Sequence, residues 1–253
     1  MEYLKTSSGH WLEIGGQIVP SLTTMIQGGS PKPPWILKWV INHCVSNNLS
    51  YEAYVKGEQS EALRVGAMVH SSVEKLYEGE ELEINNDPEV QKALTSFLMW
   101  HHEHKPKIIS IEERLFCEDI DKKTGNLVYP FCGTTDIVYE DRDGKVVLAD
   151  FKTSKTLDET MGIQLSGYKQ LWDATHDRKI DKIAIIQLKK NFVGSSPRAN
   201  TNFYFEYQFD PESVYCTWYL FNLNNRDKNG IVKPTYKPDL RTVFNLEEDN
   251  EQG

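Results

Sequence analysis

Gly133-Thr134-Thr135-Asp136-Ile137-Val138-Tyr139, then Asp141-Arg142-Asp143-Gly144, then Val146-Val147-Leu148-Ala149-Asp150-Phe151-Lys152 is the run that decides the fold. Its outer segments are rich in β-branched and aromatic residues and its middle is turn chemistry, so it predicts a β-hairpin. Side chains alternate along a strand. Val146, Leu148, Asp150 and Lys152 therefore share one face, and Val147, Ala149 and Phe151 the other. A carboxylate and an ammonium emerge together at the end of an apolar strand. A three-residue loop, Arg142-Asp143-Gly144 with Gly144 left-handed, sets Asp136 opposite Asp150. A two-residue Asp143-Gly144 loop would send Asp136 to the other face. Facing carboxylates repel unless something neutralises them, and a divalent cation would do so.

Outward from the hairpin, a strand is expected at 108–116 and further strands at 183–188 and 202–209. Helices are expected at 60–79, with Val69, Val73, Leu76 and Tyr77 at helical spacing, and from Asp87-Pro88 to before Pro106. Thr156 and Glu159 form a capping-box pattern for a helix running to about Thr175, and 211–223 is a further helix. Residues 10–26 read as a short hairpin turning at Gly15-Gly16. The breaker segment 28–34 then separates it from a helix starting near Trp35. The mixture predicts an α/β core with helical additions. One domain is expected: an N-terminal hairpin and helical addition at 1–60, a core at 61–190, a strand and helix addition at 191–245, and a frayed acidic tail at 246–253.

The 253 residues suffice for a sizeable core, and a hydrophobic fraction of 39% excludes a disordered chain. No apolar run reaches membrane-spanning length and the N-terminus lacks signal-peptide character, so no membrane association is expected. Four cysteines, Cys44, Cys117, Cys132 and Cys216, lie scattered without a CxxC pair, which reads as reduced thiols in a cytoplasmic protein. A net charge of -9 speaks against a broad nucleic-acid surface, but not against a local basic groove or a metal-bearing site.

Two helices carry further chemistry. His70 sits at the edge of its apolar stripe with Glu74 one turn on, where it could offer a ring nitrogen to a metal. Taken alone, such a histidine is more often structural. Gln164, Tyr168 and Trp172 follow at i, i+4 spacing on a face widened by Leu165 and Leu171. A glutamine there needs a partner or costs about 1–3 kcal/mol. The plain reading is a core-facing helix with Gln164 bonded to nearby backbone.

Together His70, Gly133-xx-Asp136, Asp150-Phe151-Lys152 with its Thr153-Ser154-Lys155 extension, and Gln164-xxx-Tyr168 resemble the PD-(D/E)XK nuclease superfamily. Their order and spacing look most like its RecB-type exonuclease branch, which includes phage recombination exonucleases. The opening Val19-Pro20-Ser21-Leu22-Thr23-Thr24, Lys32-Pro33 and Leu37-Lys38-Trp39 is also similar to phage members. The likeness covers roughly residues 15–190. It implies a restriction-endonuclease-like core, a three- or four-stranded mixed sheet flanked by helices, with a divalent-metal site at the sheet's edge. His70, Asp136, Asp150 and the Phe151 carbonyl would hold Mg²⁺ or Mn²⁺. Lys152 would orient or deprotonate the attacking water, and Gln164 and Tyr168 would position Lys152 and the DNA backbone. Glu112 or Glu113 matches an acidic position of these enzymes; strand parity does not choose, and Glu112 is preferred.

The implied activity is metal-dependent DNA exonuclease action in recombination or DNA-end processing, in a host cytoplasm if the gene is a phage's. The alternatives are a structure-specific or flap endonuclease on the same core and a cleavage-incompetent DNA-binding protein. A single-strand annealing protein is the implied partner, and an oligomer is compatible. Some relatives hold an iron–sulfur cluster through clustered downstream cysteines. Here only Cys216 follows the lysine, so no cluster is expected. His101-His102-Glu103-His104 could bind metal but diverge around a helix, so a solvated helix end is the better reading. Lys189-Lys190 and Arg198, and Trp35 and Trp39, are candidates for DNA phosphates and bases, against a solvated loop and core packing.

Overall fold

Leu12 and Val19 are the apolar anchors of an N-terminal antiparallel sheet with strand order β1-β2-β3, formed by β1 (Glu2–Thr6), β2 (Gly9–Ile14) and β3 (Gln17–Pro20). The computed structural model describes residues 2–6, 9–14, 17–30, 34–54, 57, 60–80, 87–116, 131–188 and 203–224. The expected hairpin of 10–26 is corrected twice. β1 adds a strand on its outer side, and the chain becomes helical after Ser21. Ser21 caps α1 (Leu22–Gly29) by accepting from Thr24 N–H, and Leu22, Met25 and Ile26 keep helical spacing toward the core. α2 (Pro34–Ser46) and the short α3 (Tyr51–Tyr54) follow, then α4 (Ser60–Glu78) and α5 (Pro88–His104), the last capped by Asp87.

The central sheet contains β4 (Lys107–Phe116), β5 (Cys132–Glu140), β6 (Val146–Lys152), β7 (Lys182–Gln187) and β8 (Tyr204–Tyr207) in the order β4-β5-β6-β7-β8. All neighbours are antiparallel except β6 and β7, which are parallel and joined by the crossover helix α6 (Glu159–Thr175). The sheet has five strands where three or four were implied, because β8 adds itself to β7. The expected start of α6 also shifts: Asp158, not Thr156, caps it by accepting from Thr160 N–H. α7 (Pro211–Asn224) closes the described chain.

Both faces of the sheet are covered. Val138, Leu148, Ile183 and Ile185 pack against Leu22 and Met25 of α1, Leu165 and Trp172 of α6, and Trp218 and Phe221 of α7. Ile137, Val147, Ala149 and Ile186 pack against Val69 and Val73 of α4 and Phe97 and Trp100 of α5. The result is a mixed β-sheet between two helical layers, an α/β architecture in which a buried β6 can read as an unbroken apolar run. α1 and α7 both contribute to the central core, so the terminal additions are built into it. Among the described residues, no helix is long and apolar enough to cross a membrane. Lys189, Lys190, Arg198 and the tail at 246–253 lie outside the described residues, as do the side chains of Trp35 and Trp39.

Candidate functional site

The turn chemistry resolves into the three-residue loop. Asp141 N–H donates to Lys145 O at 2.9 Å, Gly144 N–H donates to Asp141 O at 3.0 Å, and Gly144 takes a φ of 76°. The Asp141 carboxylate tightens the loop, its Oδ1 accepting from both Asp143 N–H and Lys145 N–H at 2.9 Å. This fixes the register Glu140↔Val146 through Ile137↔Ala149, which ends one residue short of Asp136 and Asp150. Beyond that ladder, Asp136 Oδ2 accepts the Phe151 N–H at 2.6 Å. Phe151 itself points to the other face, buried edge-on to Phe97 at 5.5 Å, and so pins the end of β6.

β4 brings the third acid. Ile111 packs under α4 and α5, yet Leu115, of the same parity, packs under α6. Between them Glu112 adopts a φ of 46°, a left-handed conformation rare for a non-glycine residue, and the strand turns over there. Glu112 thereby faces α4, while Glu113 pairs with His176 Nε2 at 2.9 Å and accepts from Ser110 Oγ. From α4, His70 Nδ1 lies 3.5 Å from both Glu112 Oε1 and Asp136 Oδ1, and His70 Nε2 lies 3.1 Å from Phe151 O. Ligand atoms of His70, Glu112 and Asp136 all fall within 4.8 Å of one another, and these residues could hold a metal ion. With Nδ1 on the ion, Nε2–H would donate to the Phe151 carbonyl, the usual second bond of a ligating histidine.

Asp150 stands beside this group with partners of its own. Its Oδ1 accepts from Gln164 Nε2 at 3.1 Å, and its Oδ2 lies 2.6 Å from Lys152 Nζ. Lys152 also donates to Gln164 Oε1 at 3.4 Å, and Gln164 donates to Tyr168 Oη at 2.9 Å. Gln164 thus bonds side chains of β6, not the backbone. Tyr168 is buried against Gly133, where an added Cβ would overlap its ring. The glycine of Gly133-xx-Asp136 is therefore a steric requirement of the tyrosine on α6.

The charges sort themselves. The Asp136 carboxylate pushes His70 up to about 11, against burial. Burial opposes the Asp136 charge, yet His70, Lys152 and the Phe151 N–H hold its carboxyl below the ordinary range. Burial first, then the Asp136 charge, pushes Asp150 up. Burial works against the Lys152 ammonium, but Asp150 and Asp136 outweigh it and hold Lys152 above its usual value. Lys152 is therefore an ammonium at neutral pH, suited to steadying negative charge.

A groove of about 880 Å³ opens over the cluster, lined by Gly66, His70, Glu74 and Glu112 on one side and Lys152 to Lys155 on the other. Gln187, at the end of β7 and not singled out from the sequence, supports that second wall. Its Nε2 donates to Ser154 O at 2.8 Å and Lys155 O at 3.2 Å. Its signal in the sequence is a lone amide ending an apolar run. His101 and His104 lie against Trp100, away from this site, and His102 is exposed. Among the described residues no metal-binding group forms there. Cys132 is buried beside Pro20 O, and burial pushes its thiol up to about 12.

No protein-family model matches the chain, and no curated protein matches it. Among solved structures, the crystal structure of SSO0001 is similar at 14% identity and a TM-score of 0.34, over 61% of this chain and 65% of that one. The chain thus spans less than two thirds of the length of that structure.

Proposed function

We propose that this protein is a divalent-metal-dependent DNA exonuclease of the PD-(D/E)XK type. The observation that carries the reading is the convergence of His70, Glu112 and Asp136 within reach of one ion, with Asp150 and Lys152 beside them where β6 ends. Mg²⁺ or Mn²⁺, held by His70, Glu112 and Asp136 with Asp150 beside them, would supply Lewis acidity toward a phosphoryl oxygen and the attacking water. Lys152 steadies the charge that builds on the phosphate, and Gln164 holds both Lys152 and Asp150 in place. In the hydrolysis, the water oxygen bonds to phosphorus and releases a proton to solvent, one P–O ester bond breaks, and the departing oxygen takes up a proton from solvent.

The test is a digest of end-labelled linear DNA and covalently closed circular DNA with each metal. Linear DNA should be degraded from its ends and closed circles should survive; cleaved circles would favour the endonuclease reading. Asp150→Ala and Lys152→Ala should each lower the rate by about 10²–10³-fold or more while the fold remains. Variants that still degrade linear DNA at the wild-type rate would sink the mechanism. An imidazole ligand is softer than magnesium prefers, so Mn²⁺ should support activity equal to or above that with Mg²⁺. Activity with Mg²⁺ that Mn²⁺ abolishes would remove His70 from the ligand set.

A further inference from the structure

The second wall of the groove is backbone held by one buried amide. Gln187 pairs in register with Lys152 across the parallel strands β6 and β7, is 6% exposed, and belongs to no part of the acid cluster. Leu188 N–H donates to Lys152 O at 2.8 Å, and Gln187 N–H donates to Phe203 O at 2.7 Å, so the end of β7 is fixed on both sides. From that fixed point the side chain takes the carbonyls of Ser154 and Lys155. Two carbonyl dipoles are thereby turned into the protein and away from the groove. What remains at the groove is Thr153, exposed Ser154 and exposed Lys155, next to Lys152. In a chain of net charge -9, a wall of Lys152, exposed Lys155 and the Thr153 hydroxyl with two carbonyls withdrawn is suited to an anion, while Ser154 Oγ donates to Thr156 O at 3.0 Å.

We infer that Gln187 is a positioning residue that holds segment 153–155 as a phosphate-binding wall, where Lys155 meets a backbone phosphate adjacent to the one at Lys152. The inference rests on the reading of the groove as a DNA track. It assigns the wall to substrate binding and leaves the chemical step to the cluster across the groove.

Two readouts separate the inference from the nuclease reading. The first is binding of a labelled duplex oligonucleotide across a salt series without divalent metal, where no hydrolysis occurs. Lys155→Ala should weaken binding several-fold and lower the slope of log K against log salt by about one. Gln187→Met keeps the volume but not the donors, and should weaken binding in the same direction. The second is cleavage, assayed well below the Tm: Gln187→Met should raise KM several-fold with kcat within about twofold of wild type, and lower the Tm by only a few degrees. Unchanged salt slope and KM in both variants would overturn the inference. So would a Gln187→Met protein whose kcat and Tm fall together while its DNA affinity stays the same, the mark of a structural role alone. A wild type that binds DNA with this salt dependence yet never cleaves overturns the nuclease reading and supports the wall. A wild type that does not bind DNA overturns both.

Discussion

Asp136 uses its two oxygens for two different tasks. Oδ2 takes the Phe151 N–H where the β5–β6 ladder stops, and Oδ1 faces His70. The first closes a backbone donor that would otherwise be left open in a buried place, and the second turns a carboxylate oxygen toward the His70 ring. Its neighbour three residues back is equally constrained. Gly133 lies under the Tyr168 ring, and Tyr168 in turn accepts the hydrogen bond that orients Gln164 toward Asp150. Gly133→Ala should push the ring aside, with a loss of about 1–3 kcal/mol from overpacking. Because Gln164 then loses its hold on Asp150 and Lys152, cleavage assayed well below the Tm should fall about tenfold or more. An alanine variant that loses stability but keeps the wild-type rate would show that Tyr168 does not act through Gln164.

At the level of elements, the site depends on the register of one hairpin, and that register depends on Asp141. Its carboxylate accepts two turn N–H groups and lies 3.0 Å from Lys182 Nζ. Burial opposes the charge, but the N–H of Lys145, the Lys182 ammonium and the N–H of Asp143 hold it below its ordinary 3.8. A depressed folded value stabilises the native state above the unfolded pKa, and the contribution is lost as pH falls through the folded value. Asp141→Ala should therefore cost about 1–2 kcal/mol at neutral pH. That difference from wild type should shrink as pH drops below the unfolded value of 3.8. Denaturant melts at a series of pH values measure it, and a gap that widens in acid would reverse the assignment. The same hairpin marks how far the sequence could be read. Asp141-Arg142-Asp143-Gly144 and the alternation of β6 are local signals, so the hairpin and its three-residue loop were legible. The choice between Glu112 and Glu113 was not, because it turns on a left-handed φ at a glutamate that no periodicity announces. α1 was hidden for another reason. Gly28-Gly29 suggested a boundary, whereas Gly29 is the point where α1 approaches the Thr217 backbone of α7 too closely for a side chain.

Across the whole molecule, the cluster gathers groups from α4, β4 and β5, with Asp150 of β6 beside them and held by Gln164 of α6. An ion bound there would tie α4 to β4 and β5, so its binding energy would count toward global stability. At 100 times its Kd a ligand that binds only the native state contributes about 2.7 kcal/mol. For a chain of this size, each kcal/mol moves the Tm by about 2–4 °C, so saturating Mn²⁺ should raise the Tm by roughly 5–10 °C. A chain with net charge -9 attracts cations everywhere, and residues 247–251 alone carry Glu247, Glu248, Asp249 and Glu251. The shift must therefore be shown to belong to the cluster. Asp136→Asn keeps the size of the side chain and removes a central charge of the ligand set. Its Tm should no longer respond to Mn²⁺ at the concentration that saturates the wild type. Truncation after residue 245 should leave the wild-type response intact. An equal shift in Asp136→Asn, lost on truncation, would place the ion on the tail and leave the cluster of His70, Glu112 and Asp136 without its metal.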